Sequence, residues 1–369
     1  MLKSIQTYAI FLSSLLYIIC SSSLVFSQES IDISYIKGSV LVHAKKIEPI
    51  SDPPVDGLSI SYTFNNKAGE HWRKFYNYPN YGINYTFKTF NNPDVVGNSH
   101  ALTTFLQLSF LKRHNVFDIG FKGSAGLAYL TETYDELTNP DNQAISTHLN
   151  IAGELEFYTR LTFHPIYIGF SYGLNHFSNG LVKSPNLGLN TLNNHITLGW
   201  EFEKQAEKIK PTEEERGQPT KNEFWAYAST GINTVRDYDR HFVFFATSLN
   251  YSKQINPINK IGIGIDFIND EALNQYAINN YSYNGESDLS FRFGPNLQGE
   301  FMFGNFSFLG AYGFFFGNTT NYISRAYYKV GGKYYAKNII GIAMIRAVPL
   351  FKAQVIEFGL GFRFPRIKN

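Results

Sequence analysis

The sequence predicts an all-β protein, an antiparallel transmembrane β-barrel of about fourteen strands. Three observations predict it. The first residues have the pattern of an export signal, and apolar and polar residues alternate with the strand period of two along most of the remaining sequence. The 369 residues also include 33 Phe, 25 Tyr and 30 Gly, yet no apolar run after the signal is long enough for a transmembrane helix. In a membrane barrel, one face of each strand meets lipid and the other lines a polar interior.

The first element is a predicted signal peptide over residues 1–27. Lys3 precedes an apolar stretch over residues 8–25, and polar residues follow from Ser27. A basic start, an apolar centre and a polar end are typical of an export signal, so we expect cleavage near Ser27 and delivery to the outer membrane of a Gram-negative bacterium. Cys20 is the only cysteine. The mature chain would therefore lack a thiol for a disulfide, a nucleophile or a metal ligand.

The strands are predicted from alternation bounded by Asn, Asp, Gly and Pro. The alternation is clearest in the segments that begin at Phe117, Ile261 and Ile356. Further strands are expected to begin near Gly57, Tyr81, Ser99, Thr147, Tyr167, Leu192, Phe224, Phe242, Leu289, Phe306, Tyr322 and Ile339. A soluble β-sandwich also alternates, but its outward face carries more charge than the glycine-rich and serine-rich faces of this chain.

One segment interrupts the alternation. Residues 203–222, EKQAEKIKPTEEERGQPTKN, are charged, lack aromatic residues and contain two prolines. We interpret this segment as a solvated loop or a short helix. It separates about eight predicted strands from about six, but a single barrel can carry such a loop, so we predict one barrel domain over residues 28–369.

Net charge and histidine spacing bear on whether the protein binds nucleic acid or metal ions. The net charge of +2 gives no reason to expect a nucleic-acid partner. The histidines away from His176 are scattered without the spacing of metal ligands, so no metal site is predicted.

An imidazole and a hydroxyl stand out at the end of one predicted strand. His176 and Ser178 share a strand face, and counting back in steps of two gives only large apolar residues, namely Leu174, Tyr172, Phe170 and Ile168. If that face meets lipid, both polar side chains point outward at its end. This placement indicates chemistry on a lipid.

These residues belong to a longer pattern. The sequence His176-Phe177-Ser178-Asn179-Gly180, followed by SPNLG at residues 184–188, resembles the PagL-like family of outer-membrane lipid A 3-O-deacylases and acyloxyacyl hydrolases. The family pattern is His-x-Ser-Asn, a short loop with Pro-Asn-x-Gly, and the next strand. The resemblance implies an eight-stranded barrel with an esterase site on its outer wall, lipid A of lipopolysaccharide as the substrate, and no cofactor. Because this chain is longer, we expect its strand number to differ.

The resemblance also implies roles for individual residues. Ser178 would be the nucleophile, His176 the general base and Asn179 an oxyanion-hole donor, with a backbone N–H near Gly180 as a second donor. The family usually has an acidic residue about fourteen positions after the histidine, where this chain has Asn190. An amide oxygen can orient an imidazole but stabilises imidazolium less than a carboxylate does. We therefore expect Asn190 as the third member, with reduced reliance on it or reduced activity.

The predicted function is hydrolysis of the ester of a 3-O-linked hydroxyacyl chain of lipid A. The lipid substrate would come from the surrounding outer membrane. Two alternatives stay open from the sequence. One is a non-catalytic outer-membrane barrel, porin-like or transporter-like, in which His176 is incidental. The other is a soluble exported β-sandwich that acts as a binding module.

Overall fold

A computed structural model describes ten stretches of the chain, residues 30–64, 71–111, 116–180, 182–202, 211–216, 221–235, 241–281, 288–317, 324–348 and 352–364. The first eight strands form a closed antiparallel barrel, here called barrel 1. Its strands are β1 (Ser30–Val40), β2 (Val55–Phe64), β3 (Asn80–Thr89), β4 (Asn98–Ser109), β5 (Phe117–Leu130), β6 (Leu149–Phe163), β7 (Ile166–Ser178) and β8 (Leu189–Glu201).

The remaining strands form a second closed barrel, barrel 2. Two short segments, β13 and β14, both pair with the strand before them and together make one strand of this barrel. The segments are β9 (Asn222–Thr234), β10 (His241–Asn256), β11 (Asn259–Asp270), β12 (Phe291–Phe303), β13 (Phe306–Phe314), β14 (Phe316–Gly317), β15 (Ala326–Ala336), β16 (Ile339–Val348) and β17 (Lys352–Arg363).

The prediction of a single barrel of about fourteen strands is wrong, because the structure has two barrels of eight strands each. Barrel 1 closes where β1 pairs with β8, and barrel 2 closes where β9 pairs with β17. The predicted charged loop at residues 203–222 falls between them. The structure describes residues 211–216 and 221–222 of this segment, including a single helical turn, α1 (Glu213–Arg216). The predicted signal peptide lies outside the described residues.

Helices are few. A 3₁₀ helix spans Lys45–Ile50 between β1 and β2, another spans His71–Tyr76 between β2 and β3, and α2 (Ala272–Tyr281) lies between β11 and β12. None of the helices in the described part of the chain has the length and apolar character needed to cross a bilayer.

Alternation along the strands produces two different faces in each barrel. Large apolar side chains cover the outside, and polar and charged ones are buried inside. The interior of barrel 1 holds ion pairs such as Arg160–Glu201, at 3.1 Å. The interior of barrel 2 holds Lys329–Asp266 at 2.8 Å and Lys333–Glu300 at 2.9 Å. Because buried charges are tolerated when they are paired, these contacts let polar faces fill both interiors.

An apolar cluster closes one end of barrel 1. This end, where β7 stops at Ser178 and β8 starts at Leu189, is called the site end. Side chains from the loops at this end pack with inward-facing residues from the strand ends, and the cluster includes Ile47, Ile50, Phe90, Val96, Ala144, Ile145, Phe177 and Leu189. Phe177 is 1% exposed and packs edge-on against Phe90. Its anchoring directs its neighbours His176 and Ser178 to the opposite face of β7.

The two barrels touch at both ends. Away from the site end, Tyr76 stacks on Phe303 of barrel 2, with ring centroids 4.6 Å apart, and Trp72 meets the same ring edge-on. At the site end, Gly180 lies against Ile356 of β17, where a β-carbon built on the glycine would be 2.2 Å from Cδ1 of the isoleucine.

Candidate functional site

The site residues lie at the end of the outward face of β7. The apolar residues that precede them on this face, Ile168, Phe170, Tyr172 and Leu174, are 43–49% exposed on the outside of the barrel. His176 continues this face and is exposed, and Ser178 at the strand end is half-buried. An acyl chain lying along the outer wall would therefore reach the imidazole and the hydroxyl without entering the barrel.

His176 faces Asn190 across the hairpin of β7 and β8. The two residues are direct partners in the strand register, as the hairpin expected from the sequence requires. Nδ1 of His176 donates a hydrogen bond to Oδ1 of Asn190 at 2.6 Å. A proton held on Nδ1 leaves the lone pair of the neutral ring on Nε2. The imidazole is therefore in the tautomer that a general base needs.

Two donors converge on the hydroxyl of Ser178. The side-chain nitrogen of Asn186 lies 2.9 Å from Oγ, and the backbone N–H of Gly180 lies 3.2 Å from it. The oxygen of Asn186 in turn accepts a bond from the backbone N–H of Asn179 at 3.3 Å, which fixes the direction of the Asn186 amide. Donors at this position lie close to where an oxyanion would form on a carbonyl carbon attached to Oγ.

The side chain of Asn179 points elsewhere. It is 8% exposed, and its nitrogen donates to Oγ of Ser146 and to the carbonyl of Lys183, both at 2.9 Å. Ser146 also donates to that carbonyl, at 2.8 Å. The Asn179 amide thus ties the site loop to the neighbouring loop between β5 and β6, and Asn186 occupies the place beside Ser178 that the sequence assigned to Asn179.

Gly188 fits closely under the imidazole. Its φ of +79° is in the left-handed region, which favours glycine. A β-carbon built at this position would lie only 2.7 Å from Cε1 of His176. The backbone N–H of Gly188 donates to the carbonyl of Ala144 at 3.1 Å. The last glycine of the loop motif therefore makes room for the ring and holds the loop to its neighbour.

His43 adds a contact that the sequence did not indicate. It lies in the loop after β1, and its Nδ1 is 3.1 Å from the side-chain nitrogen of Asn190. Neither His43 nor Asn186 was given a role from the sequence. Asn186 stood inside the recognised Pro-Asn-x-Gly loop, which is the signal that could have identified it. His43 is 133 positions before His176, and no local pattern links the two.

The described histidines do not form a metal centre. Within the described stretches, no group of three or more His, Cys, Asp or Glu side chains is placed to hold a metal ion. His195 is buried inside barrel 1, where its Nε2 is 3.4 Å from Oε1 of Glu154. The chemistry available at the site end of β7 is that of a hydroxyl, an imidazole, amides and backbone N–H groups.

Fold and site together define a class, β-barrel proteins with a serine, a histidine and convergent amide donors on the outer wall. Two family models match the chain, "Lipid A 3-O-deacylase (PagL)" over residues 56–200 and "Acyloxyacyl hydrolase, C-terminal domain" over residues 222–366. The chain belongs to the PagL-like family, and is thus a hydrolase of the lipid A deacylase type. Family and barrel fold indicate an outer-membrane protein. The first match lies in barrel 1, and the second spans barrel 2.

Comparisons with curated proteins and solved structures do not indicate a function. No curated protein matches this chain in sequence. Among solved structures, CdiB from Acinetobacter baumannii is 10% identical, with 91% of this chain and 60% of that chain covered and a TM-score of 0.18. A triple mutant of the Rh. blastica porin is 9% identical, with 92% of this chain and 100% of that chain covered and a TM-score of 0.17. Similarities this low carry no argument.

Proposed function

We propose that the protein removes a 3-O-linked hydroxyacyl chain from lipid A by serine–histidine ester hydrolysis. The observation that carries this proposal is the 2.6 Å hydrogen bond from Nδ1 of His176 to Asn190. His176 lies two residues before Ser178 on the same outward strand face. Residues two apart on a strand lie about 6.5 to 7 Å apart, so Ser178 is within reach of the imidazole once both side chains lean together.

The first half of the reaction forms an acyl-enzyme. Oγ of Ser178 attacks the ester carbonyl carbon while Nε2 of His176 takes the hydroxyl proton. The carbonyl oxygen becomes an oxyanion, which the Asn186 amide and the Gly180 N–H stabilise. When the tetrahedral intermediate collapses, the bond to the sugar oxygen breaks, and that oxygen takes the proton from His176. The acyl chain is then bonded to Ser178.

The second half regenerates the enzyme. A water molecule attacks the acyl carbonyl and loses a proton to Nε2 of His176, and the same donors hold the second oxyanion. Collapse breaks the bond to Oγ of Ser178, which recovers the proton from His176 and leaves a free fatty acid. Asn190 orients the imidazole throughout, in the place where the family usually has a carboxylate.

The location of the site supports a substrate drawn from the membrane. His176 and Ser178 lie at the end of an apolar outer face, so an acyl chain can stay against the wall while its ester reaches the serine. The sugar portion of the lipid would then lie toward the loops of the site end. Export through the signal at residues 1–27 and residence in the outer membrane of a Gram-negative bacterium complete the proposal.

The test compares Ser178→Ala with Ser51→Ala, both in the full chain. Ser51 is also at the site end, but its hydroxyl bonds to the carbonyl of Glu48 at 2.8 Å, outside the site. Lipid A from cells that express each variant is analysed by mass spectrometry. We expect the wild type and Ser51→Ala to remove one hydroxyacyl chain and Ser178→Ala to remove none, with equal amounts of folded barrel. Deacylation by Ser178→Ala at the wild-type rate would refute the proposal.

A further inference from the structure

We propose that His43 is a positioning residue for the esterase, acting through Asn190. It holds the Asn190 amide so that the oxygen, rather than the nitrogen, faces His176. This inference rests on the proposed function, because it concerns the tautomer of the proposed general base.

His43 makes polar contacts through both ring nitrogens. Its Nε2 lies 3.0 Å from the carbonyl oxygen of Leu187, in the loop between β7 and β8. Its Nδ1 lies 3.1 Å from the side-chain nitrogen of Asn190 and 3.2 Å from the carbonyl oxygen of Leu41. His43 thus connects the loop after β1 to the site loop and ends against the third member of the proposed triad.

These contacts select one state of the neutral His43 ring. A carbonyl oxygen only accepts, so Nε2 must carry the proton in order to bond Leu187. Nδ1 then has a lone pair, which accepts from the Asn190 nitrogen and cannot bond the carbonyl of Leu41. The opposite tautomer could donate from Nδ1 to the carbonyl of Leu41, but it would set a bare Nε2 against the carbonyl of Leu187 and an N–H against the Asn190 amide nitrogen. With Nε2 protonated, Nδ1 of His43 can only accept, so the end of Asn190 that faces His43 must be the amide nitrogen, and the oxygen faces His176.

The direction matters because an amide has two unlike ends. With its oxygen toward His176, Asn190 accepts the Nδ1 proton and leaves Nε2 free to take the proton of Ser178. With its nitrogen toward His176, it would donate to Nδ1 and favour the tautomer protonated on Nε2, which cannot act as the base. In serine proteases, an Asn that replaces the triad carboxylate and holds the wrong tautomer lowers kcat about 10⁴-fold.

A carboxylate would not need such a partner. Both of its oxygens accept, so either orientation presents an acceptor to the imidazole. At the position of Asn190 the family usually has an acidic residue, whereas this chain has an amide beside a second histidine. His43 supplies the directional constraint that a carboxylate makes unnecessary, and the effect of its removal should depend on which residue occupies position 190.

The test is a double-mutant cycle on the full chain in detergent micelles, with lipopolysaccharide as the substrate. In the wild-type background, we expect His43→Ala to lower kcat on the order of 10- to 100-fold with little change in KM, because the wrong tautomer removes competent enzyme without altering lipid binding. In the Asn190→Asp background, the same change should alter kcat less than about twofold. His148→Ala is the matched control, since His148 is another exposed loop histidine that bonds a carbonyl, that of Leu130 at 2.8 Å.

A second measurement reads the tautomer directly. The ¹⁵N shifts of the His176 ring should report a proton on Nδ1 in the wild type and a growing share on Nε2 in His43→Ala. An equal loss of kcat in both backgrounds, or an unchanged tautomer, would mean that His43 is only structural and overturns this inference. If His43→Ala is fully active while Ser178→Ala is inactive, the inference fails and the proposed function stands. An active Ser178→Ala overturns both.

Discussion

Gly180 of barrel 1 and Ile356 of barrel 2 are in van der Waals contact beside the proposed nucleophile. Gly180 has a φ of +68°, and its N–H donates to Oγ of Ser178. A β-carbon built on it would lie 2.2 Å from Cδ1 of Ile356. Ile356 lies on the outward face of β17, where the next residues on that face, Phe358 and Leu360, are 58% and 70% exposed. Barrel 2 therefore contributes an apolar wall directly at the site loop.

Gly180→Ala should lower kcat through this contact. The left-handed conformation costs an alanine about 1 to 2 kcal/mol, and the new methyl group must displace either Ile356 or the site loop. A displaced loop moves the Gly180 N–H away from the oxyanion, so kcat should fall about 10-fold or more. The measurement is the rate of fatty-acid release from lipopolysaccharide in micelles.

Combining Ile356→Ala with Gly180→Ala should recover part of the lost kcat. The second change removes the side chain that the new methyl group meets but leaves the backbone strain. Phe358→Ala is the matched control, since it shortens another outward residue of β17 and should recover nothing. A Gly180→Ala variant that is unaffected by the change at Ile356 would show that the barrel contact does not position the loop.

Replacing Asn186 should lower kcat, whereas replacing Asn179 should lower the stability of the protein. Asn186→Ala removes a donor from the proposed oxyanion site, so kcat should fall on the order of 10²- to 10³-fold with stability nearly unchanged. Asn179→Ala removes a buried bridge to Ser146 and Lys183, so it should lower the free energy of unfolding by about 1 to 3 kcal/mol. Urea unfolding and kcat, measured on both variants, check this division. The reverse pattern would return the oxyanion role to Asn179.

Charge on the outer wall should be costly in a way that depends on depth. Leu155, in the middle of β6, is 60% exposed, and Leu149, at the strand's start, is 62% exposed. In bilayers, Leu155→Lys should lower the free energy of unfolding by about 2 to 4 kcal/mol, whereas Leu149→Lys should lower it by about 0 to 1 kcal/mol. Equal penalties, measured by urea unfolding from phosphatidylcholine vesicles, would contradict a bilayer centred on the strand.

The stability of barrel 2 should depend on the ion pairs buried in its interior. Arg346 and Glu357 are 1% and 0% exposed, and their side chains meet at 3.0 Å. Arg346→Met leaves a buried carboxylate without its main partner, which should destabilise the barrel by about 3 to 5 kcal/mol. Arg363→Met is the control, because Arg363 is one-third exposed and lies 3.7 Å from its carboxylate partner, Glu223. Comparable losses in the two variants would show that burial does not set the cost.

Alternation was sufficient to predict most of the strands. It did not identify β1, whose alternating residues directly follow the predicted signal peptide. It also did not indicate two barrels, because the pairings that close them join strands far apart in the sequence, such as Ser30 with Glu201. The charged segment at residues 203–222 was the sole local sign of the division, and a long loop of one barrel would look the same.

The motif identified Ser178, His176 and Asn190 as candidates because their spacing follows from a single hairpin. The roles of Asn186 and His43 depend instead on how loops fold over the strand ends. Loop conformation is set by contacts such as the anchoring of Phe177 among residues of other loops, and strand periodicity carries no information about these contacts. The sequence therefore pointed to Ser178, His176 and Asn190 through one hairpin, whereas the contacts of Asn186 and His43 became visible only in the structure.

The separate closure of the two barrels makes the chain divisible. Within each half, every strand from β1 to β8 and from β9 to β17 finds its neighbours without the other half. Two polypeptides separated between Glu201 and Asn222 should each assemble when produced together. The apolar wall at Ile356 would then reach the loop at Gly180 only when the two fragments meet, so the covalent connection would act as a tether between the barrels.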